Sequence, residues 1–334
     1  MDFRLDINRE GDIRILQITD MQTIDAYQRR FPDRIKGWSV EAWVPENNEK
    51  NLYSQIRYVV EKSNPDLIII TGDIIYGEFD DAGTSFEEFC NFMDSFKIHW
   101  APVYGNHDNE SAKGIEWQNN RFASSEYCFF KKGETFGNGN YTIGIYQKGE
   151  LQRVLIMLDS HGCGGIGGVK GVHVNAGLRP EQMEWAEGEM KKIFAENPDV
   201  PSFMCFHIPT AEFCEALTAA GYQPQKDASH TEFYSYEIGK DVPARPGEFG
   251  KKLEPLASNV HIMPSIKACN TDGLFTGHEH KNNFSVVYDG IRFTQGLKTG
   301  LYDYHDKECL GGTKITLSGH DFTVEHVYYP LEEK

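Results

Sequence analysis

The stretch Leu67-Ile68-Ile69-Ile70-Thr71-Gly72-Asp73 is a run of large apolar residues that stops at a glycine and a carboxylate. Such a run is too short for a buried helix and has no polar face, so it predicts a strand covered on both sides. The pattern recurs. Ile13 to Ile18, broken by Arg14 and Gln17, ends at Thr19-Asp20-Met21-Gln22, and the weaker run Trp100 to Tyr104 ends at Gly105-Asn106-His107-Asp108. Val154 to Leu158 ends at Asp159-Ser160, Phe203 to Phe206 at His207, and Leu274-Phe275-Thr276 at Gly277-His278-Glu279-His280.

Helical spacing fills the intervals. Asn51 to Lys62 carries Leu52, Ile56, Val59 and Val60 and stops before Pro65. Phe86 to Phe96 places Phe86, Phe89, Cys90, Met93 and Phe96 on one side, with Ser85 as the expected N-cap. Pro180 to Phe194 opens with proline in a first-turn position. Strands alternating with helices predict an α/β fold with ligands at the carboxyl ends of strands, where the polar clusters fall. After Asp289, alternation in 290–294 and 313–317, with turns at Asp289-Gly290 and Ser318-Gly319, predicts antiparallel strands.

Two segments differ in character. Gly162 to Gly168 is glycine-rich but lacks the Gly-Lys-Ser/Thr ending of a nucleotide-binding loop. Glu212 to Asn270 is polar and proline-punctuated, apart from a short apolar helix near Ala216 to Ala220. It is expected to decorate the active face of one domain spanning 1–334, as an insertion at about 212–270.

The 334 residues carry 33 Lys+Arg against 50 Asp+Glu, a net charge of −17. That balance opposes broad nucleic-acid binding, which depends on cationic side chains replacing counterions. It leaves phosphate chemistry open, because a bound metal reverses the local field. No run reaches the ~18 apolar residues of a membrane span. The mixed-charge opening Met1 to Asp6 lacks a secretory core. The 7 scattered cysteines contain no C-x-x-C pair, which suits reduced thiols in a cytoplasmic protein.

Asp20, Asp73, Asn106, His107, His207, His278 and His280 all stand at expected strand ends. Their oxygen and imidazole donors suit Zn, Fe or Mn. One aspartate after a strand is ordinarily a cap or turn residue, but separate caps do not account for Gly-Asp, Gly-Asn-His-Asp and Gly-His-Glu-His in this order.

In these motifs the sequence resembles the calcineurin-like metallophosphoesterase superfamily. Its pattern is Asp-x-His, Gly-Asp, Gly-Asn-His-Asp/Glu, a lone His, then Gly-His-x-His. The resemblance spans about Arg14 to His280, and Leu178 to Trp185 resembles the Leu-x-x-x-Gln-x-x-Trp helix opening common in these enzymes. It implies a four-layer α/β/β/α sandwich with two mixed β-sheets and metals at one edge. The departure is Gln22, where the pattern has histidine. Yet Gly72-Asp73-Ile74-Ile75-Tyr76 is similar to the Gly-Asp-x-x-Tyr of the purple acid phosphatase branch. There motif one lacks its histidine and a tyrosinate binds ferric iron.

Carried over by position, the resemblance implies that Asp73 bridges two metal ions. Asp20, Tyr76 and His280 would complete the first site, and Asn106, His207 and His278 the second. Fe with Fe, Zn or Mn, or a Mn pair, all remain open. His107 would face the substrate, stabilising phosphoryl oxygens or protonating the leaving alkoxide, with Asp108 either orienting it or serving as a plain cap. The implied activity is a dinuclear phosphoesterase acting on small phosphorylated compounds by in-line attack of a metal-bridging hydroxide. Monoester hydrolysis is favoured. A phosphodiesterase for nucleotides or lipid headgroups is the alternative, and a non-catalytic scaffold is disfavoured because His107 persists. His161, His230, Tyr234, Tyr236 and Arg245 are weaker substrate-face candidates. Glu279 is expected to be a supporting or exposed residue, and His99, His173, His261, His305, His320 and His326 structural or surface residues.

Overall fold

The computed structural model describes residues 1–25, 47–162, 177–226, 231–234, 252–256 and 260–330, with backbone alone at 223–226, 231–234 and 252–256. The run at Leu67 forms strand β3 (Leu67–Thr71), buried along its whole length. It pairs in parallel with β2 (Ile13–Ile18) and β4 (His99–Val103). Antiparallel β14 (Gly311–Ser318) and β15 (Asp321–Tyr328) extend the other side, so the five-stranded sheet runs β15-β14-β2-β3-β4.

A seven-stranded mixed sheet faces it. Its members are β1 (Phe3–Ile7), β5 (Tyr141–Gln147), β6 (Glu150–Met157), β7 (Ser202–Cys205), β11 (Thr271–Thr276), β12 (Ser285–Tyr288) and β13 (Ile291–Gln295), in the order β1-β5-β6-β7-β11-β13-β12. The two-residue period of a strand explains why this sheet is apolar on both faces. Leu155, Met157, Phe203, Cys205 and Phe275 point into the core shared with the five-stranded sheet. Their neighbours Val154, Ile156, Met204 and Leu274 point into a second core under the outer helices. Burying each such side chain stabilises the fold by roughly 1.5–3 kcal/mol relative to exposure.

Helices close both outer faces. On the five-stranded side, α1 (Ser54–Ser63) packs on β2 and β14. α2 (Thr84–Ser95) and α3 (Ile115–Ala123) set Phe89 and Phe122 edge-on against Trp100 of β4. On the other side α4 (Pro180–Phe194), α5 (Ala211–Ala219) and α6 (Met263–Ala268) cover the second core. The result is the four-layer α/β/β/α sandwich the motifs implied. Within the polar segment after α5, β8 (Gln223–Lys226), β9 (Thr231–Tyr234) and β10 (Lys252–Leu256) form a separate antiparallel sheet.

Local chemistry departs from expectation at α2. Ser85 lies inside the helix, and Gly83 occupies the cap position with φ 76°. The free N–H groups are instead taken by Asp80, whose carboxylate accepts from Ser85 at 2.8 Å and Phe86 at 3.0 Å. α1 stops where Asn64 turns left-handed at φ 42° and donates to the Val60 carbonyl, just ahead of Pro65. The buried Arg153 lies between Phe203 and Phe322 and pairs with Asp272, tying the two sheets together. Among the described residues no helix is long and apolar enough to cross a membrane.

Candidate metal centre

The carboxyl ends of β2, β3 and β4 meet those of β7 and β11, because parallel neighbours present the same end to the same edge. Three glycines let the turns there approach closely. A Cβ at Gly72 would stand 2.6 Å from His207 Nδ1, one at Gly105 2.1 Å from Asp73 Oδ1, and one at Gly277 2.0 Å from Thr19 Oγ1. The glycines of Gly-Asp, Gly-Asn-His and Gly-His therefore keep the site free of side-chain bulk. Asp20, Gln22, Asp73 and His278 all have positive φ, at 55°, 47°, 51° and 82°. Such strain persists only where surrounding contacts hold it. Here Asp20 N–H donates to Gly72 O, Gln22 N–H to Asp73 O, Gly277 N–H to His207 O, and His278 N–H to the Asp20 carboxylate.

These turns bring six of the expected ligands into contact. Donor atoms of Asp20, Asp73 and His280 lie within 4.8 Å of one another, a candidate metal-ligand triad. His280 Nε2 stands 3.4 Å from Asp20 Oδ1. His207 Nε2 is 3.3 Å from Asp73 Oδ2, 3.1 Å from Asn106 Oδ1 and 3.3 Å from His278 Nδ1. Both inner imidazoles are oriented from behind. His207 Nδ1 donates to the Thr71 carbonyl at 2.8 Å and His280 Nδ1 to the Tyr304 carbonyl at 2.9 Å. Each Nε2 is thereby turned toward the carboxylates, the arrangement in which imidazoles take a cation. Oxygen and nitrogen donors crowded this closely, all buried except the partly buried His278, fit metal ions well. Burial opposes ionisation of Asp73, but the His207 and His107 imidazoles outweigh it and hold the carboxyl well below its ordinary range.

His107 sits beside this cluster. Its backbone N–H donates to Asp73 Oδ1 at 2.8 Å, and its ring stacks on Tyr76 with centroids 4.1 Å apart. Tyr76 is nearly buried and also meets Phe79 edge-on at 5.6 Å. The carboxylate that meets His107 is not Asp108 but Glu110, whose Oε2 is 2.9 Å from Nδ1. Burial would push the His107 pKa down; Glu110 and Asp73 reverse that and raise it to about 10. Asp108 turns away and binds backbone. Its Oδ1 accepts from Ile74 and Ile75 and its Oδ2 from Gly105, so it ties the β3 turn to the β4 turn. Burial, with Asp73 nearby, raises its pKa to about 7.

The weaker candidates divide. His161 is held in a polar cluster: its ring lies 3.3 Å from Asp159 Oδ2 and 3.1 Å from Gln182 Oε1. Gln182 is the glutamine of the α4 opening, and its amide also donates to Asn140 and the Asp159 carbonyl. That gives the Leu-x-x-x-Gln-x-x-Trp pattern a structural reason. Glu279 and His326 are buried, His99 stacks on Phe129, and His261 is exposed. His173, His230, Tyr236, Arg245 and the Tyr234 side chain lie outside the described residues.

Sequence reasoning missed Glu110, Gln17 and Lys298. Glu110 is three residues past His107, a spacing that a single short helical turn brings together. Gln17 interrupts an apolar strand, which was its signal. Its amide donates to Thr71 Oγ1 and to the Thr276 carbonyl, joining the two sheets directly below the candidate ligands.

A two-sheet sandwich with clustered Asp, Asn and His at one edge defines a metal-binding phosphoesterase fold. The family description "Calcineurin-like phosphoesterase" matches residues 13–282, and the chain belongs to that family. It is 26% identical over 318 residues to "Probable inactive purple acid phosphatase 28" of Arabidopsis thaliana, covering 89% of this chain and 72% of that protein. It is 27% identical over 312 residues to "Phosphatase DCR2" of Saccharomyces cerevisiae, covering 86% of this chain but 47% of that longer protein. Among solved structures, a dimetal phosphatase from Danio rerio shares the fold with a TM-score of 0.53 at 10% identity, covering 94% of this chain and 95% of that one.

Proposed function

We propose that this chain is a dinuclear metal-dependent phosphoesterase that hydrolyses small phosphate monoesters. The observation that carries the reading is the shared position of Asp73. Its carboxylate belongs to the triad with Asp20 and His280, and it also meets His207, which in turn meets Asn106 and His278. One carboxylate between two donor groups suits two cations held side by side. In this reading Asp20, Tyr76 and His280 complete one set, and Asn106, His207 and His278 the other. The donors accept Fe with Fe, Zn or Mn, or a Mn pair.

A bound cation pair supplies the acidity that makes water a nucleophile near neutral pH and the charge that neutralises phosphoryl oxygens. The chain's residues supply orientation and a proton. The imidazolium of His107, kept charged by Glu110 and held flat by Tyr76, is suited to bind a phosphoryl oxygen and to protonate the departing alkoxide. Water attacks phosphorus directly, so no phospho-enzyme forms. A net charge of −17 keeps long nucleic acids away, and the free cysteines among the described residues suit a reducing, cytoplasmic setting.

The test is elemental analysis of protein purified without added metal, combined with turnover of paired model monoesters and diesters. Two metal ions per chain and faster monoester turnover are expected. Asn106→Ala and His207→Ala should each lose one ion and abolish turnover; full activity in both would end the dinuclear reading. Preferred diester turnover would reassign the substrate class. Three Arabidopsis relatives carry "probable inactive" in their names, which favours a scaffold as the second reading. Metal-loaded protein without turnover on either ester would support that alternative.

A further inference from the structure

We propose that Lys298 is a positioning residue of the metal centre: it turns the Gln22 amide so that Gln22 donates to Asp73 rather than ligating a cation. The inference rests on the dinuclear reading above. Lys298 is fully buried, in the segment between β13 and β14, where its backbone bridges Thr19 and Leu310. Its ammonium donates to the Asp20 carbonyl at 2.5 Å and to Gln22 Oε1 at 3.1 Å. The other end of the same amide, Nε2, lies 3.3 Å from Asp73 Oδ2.

An amide has one accepting and one donating end, and an ammonium can only donate. The oxygen of Gln22 must therefore face Lys298, which leaves the NH2 group facing the carboxylate. The flipped amide would set NH2 against ammonium and oxygen against carboxylate, two repulsive contacts in a buried place. The NH2 group offers no lone pair to a metal, so Gln22 in this orientation is a donor to the carboxylate. Gln22 itself sits in a left-handed backbone conformation, φ 47°, which persists only where surrounding contacts hold it. A buried ammonium is costly unless acceptors and negative charge surround it. The Asp20 carbonyl and the Gln22 amide oxygen supply two such acceptors.

Cobalt(II) serves as the probe, with affinity read by competition against a chelator and coordination read by visible d–d absorption. Gln22→Met should weaken cobalt binding about tenfold, the lower range for losing a group that orients a ligand, while the d–d intensity stays at the wild-type value. Lys298→Met, with its fold checked by circular dichroism, should weaken binding by a similar factor. The double variant should be no weaker than the weaker single, because both act through one contact. A changed d–d intensity in Gln22→Met would mark Gln22 as a ligand and overturn the proposal. So would multiplying losses in the double variant, or unchanged affinity in Lys298→Met. Should Lys298→Met not fold, Gln22→Met decides alone. Wild-type protein that binds no cobalt overturns the dinuclear reading and this inference with it, whereas wild-type binding with unaffected variants overturns this inference only.

Discussion

His107 Nδ1 lies 2.9 Å from Glu110 Oε2, and both side chains are largely shielded from water. The pair is set by a single short helical turn, Asp108–Glu110, immediately after the β4 turn. An imidazole held this way stays protonated at neutral pH despite its burial, with a pKa raised to about 10. Glu110→Gln removes the charge that stabilises the imidazolium, so the His107 pKa falls. The protonated fraction is then lost at a lower pH, and the alkaline limb of the pH–rate profile should move toward neutrality. His107→Ala should lower kcat by roughly 10²–10⁴-fold, the usual range for a positioned acid or base. Metal content should be unchanged in both. An unmoved alkaline limb in Glu110→Gln, or metal loss in His107→Ala, would reassign these residues.

Tyr76 allows a spectroscopic prediction. Its ring stacks on His107 beside the carboxylates, and its motif is that of the tyrosinate-bearing branch. Iron-loaded protein should show a visible charge-transfer band that Tyr76→Phe abolishes. The same variant should lower kcat through the freed His107 ring. An iron-loaded wild type without the band would leave Tyr76 with packing alone.

Gly105 tests why the motif needs glycine. An added Cβ would stand 2.1 Å from Asp73 Oδ1 and 2.3 Å from the Asp73 backbone nitrogen, atoms that cannot move without shifting the ligand. Gly105→Ala should destabilise the fold by about 1–3 kcal/mol, the range for overpacking, and should lower metal content. Gly188, inside α4 with nothing within 4 Å of its added Cβ, provides the contrast. Gly188→Ala should stabilise by roughly 0.5–1 kcal/mol, as alanine does in place of glycine in a helix. Equal effects of the two substitutions on the thermal midpoint would refute the close-approach argument.

What could be read in advance follows from range along the chain. β3 and β7 are legible because an unbroken apolar run too short for a helix is buried on both faces only as a central strand. β5 is harder: Thr142 and Gly144 interrupt its apolar residues, although the strand is buried at both positions. The candidate ligands are legible because each follows its own strand within a few residues. Lys298 is not, since its partner Gln22 is 276 positions away and only the folded sheet edge brings them together. Asp108 misleads for the opposite reason. Adjacency to His107 suggests a pair, but the tight turn points the two side chains apart and offers Asp108 three backbone N–H groups.

Asp80, which is not among the candidate ligands, gives a stability prediction. Burial, reinforced by the nearby charges of Asp25 and Glu88, raises its pKa to about 7, although the two N–H groups of α2 pull the other way. The folded protein therefore binds this proton more tightly than the unfolded chain, where the group is an ordinary carboxyl. The associated stability is fully present below the unfolded pKa and is lost as pH rises through about 7. Asp80→Asn cannot titrate, so the wild type should lose stability relative to it between pH ~4 and ~7 and hold steady above pH ~8. With each tenfold change in proton affinity worth about 1.4 kcal/mol, the relative loss should reach roughly 2–4 kcal/mol. Thermal midpoints of both metal-free proteins across that range provide the measurement, and titrations common to both, including the ligand histidines, cancel in the difference. A difference that stays constant with pH would mean that Asp80 remains an ordinary ionised cap, its charge held by the Ser85 and Phe86 N–H groups.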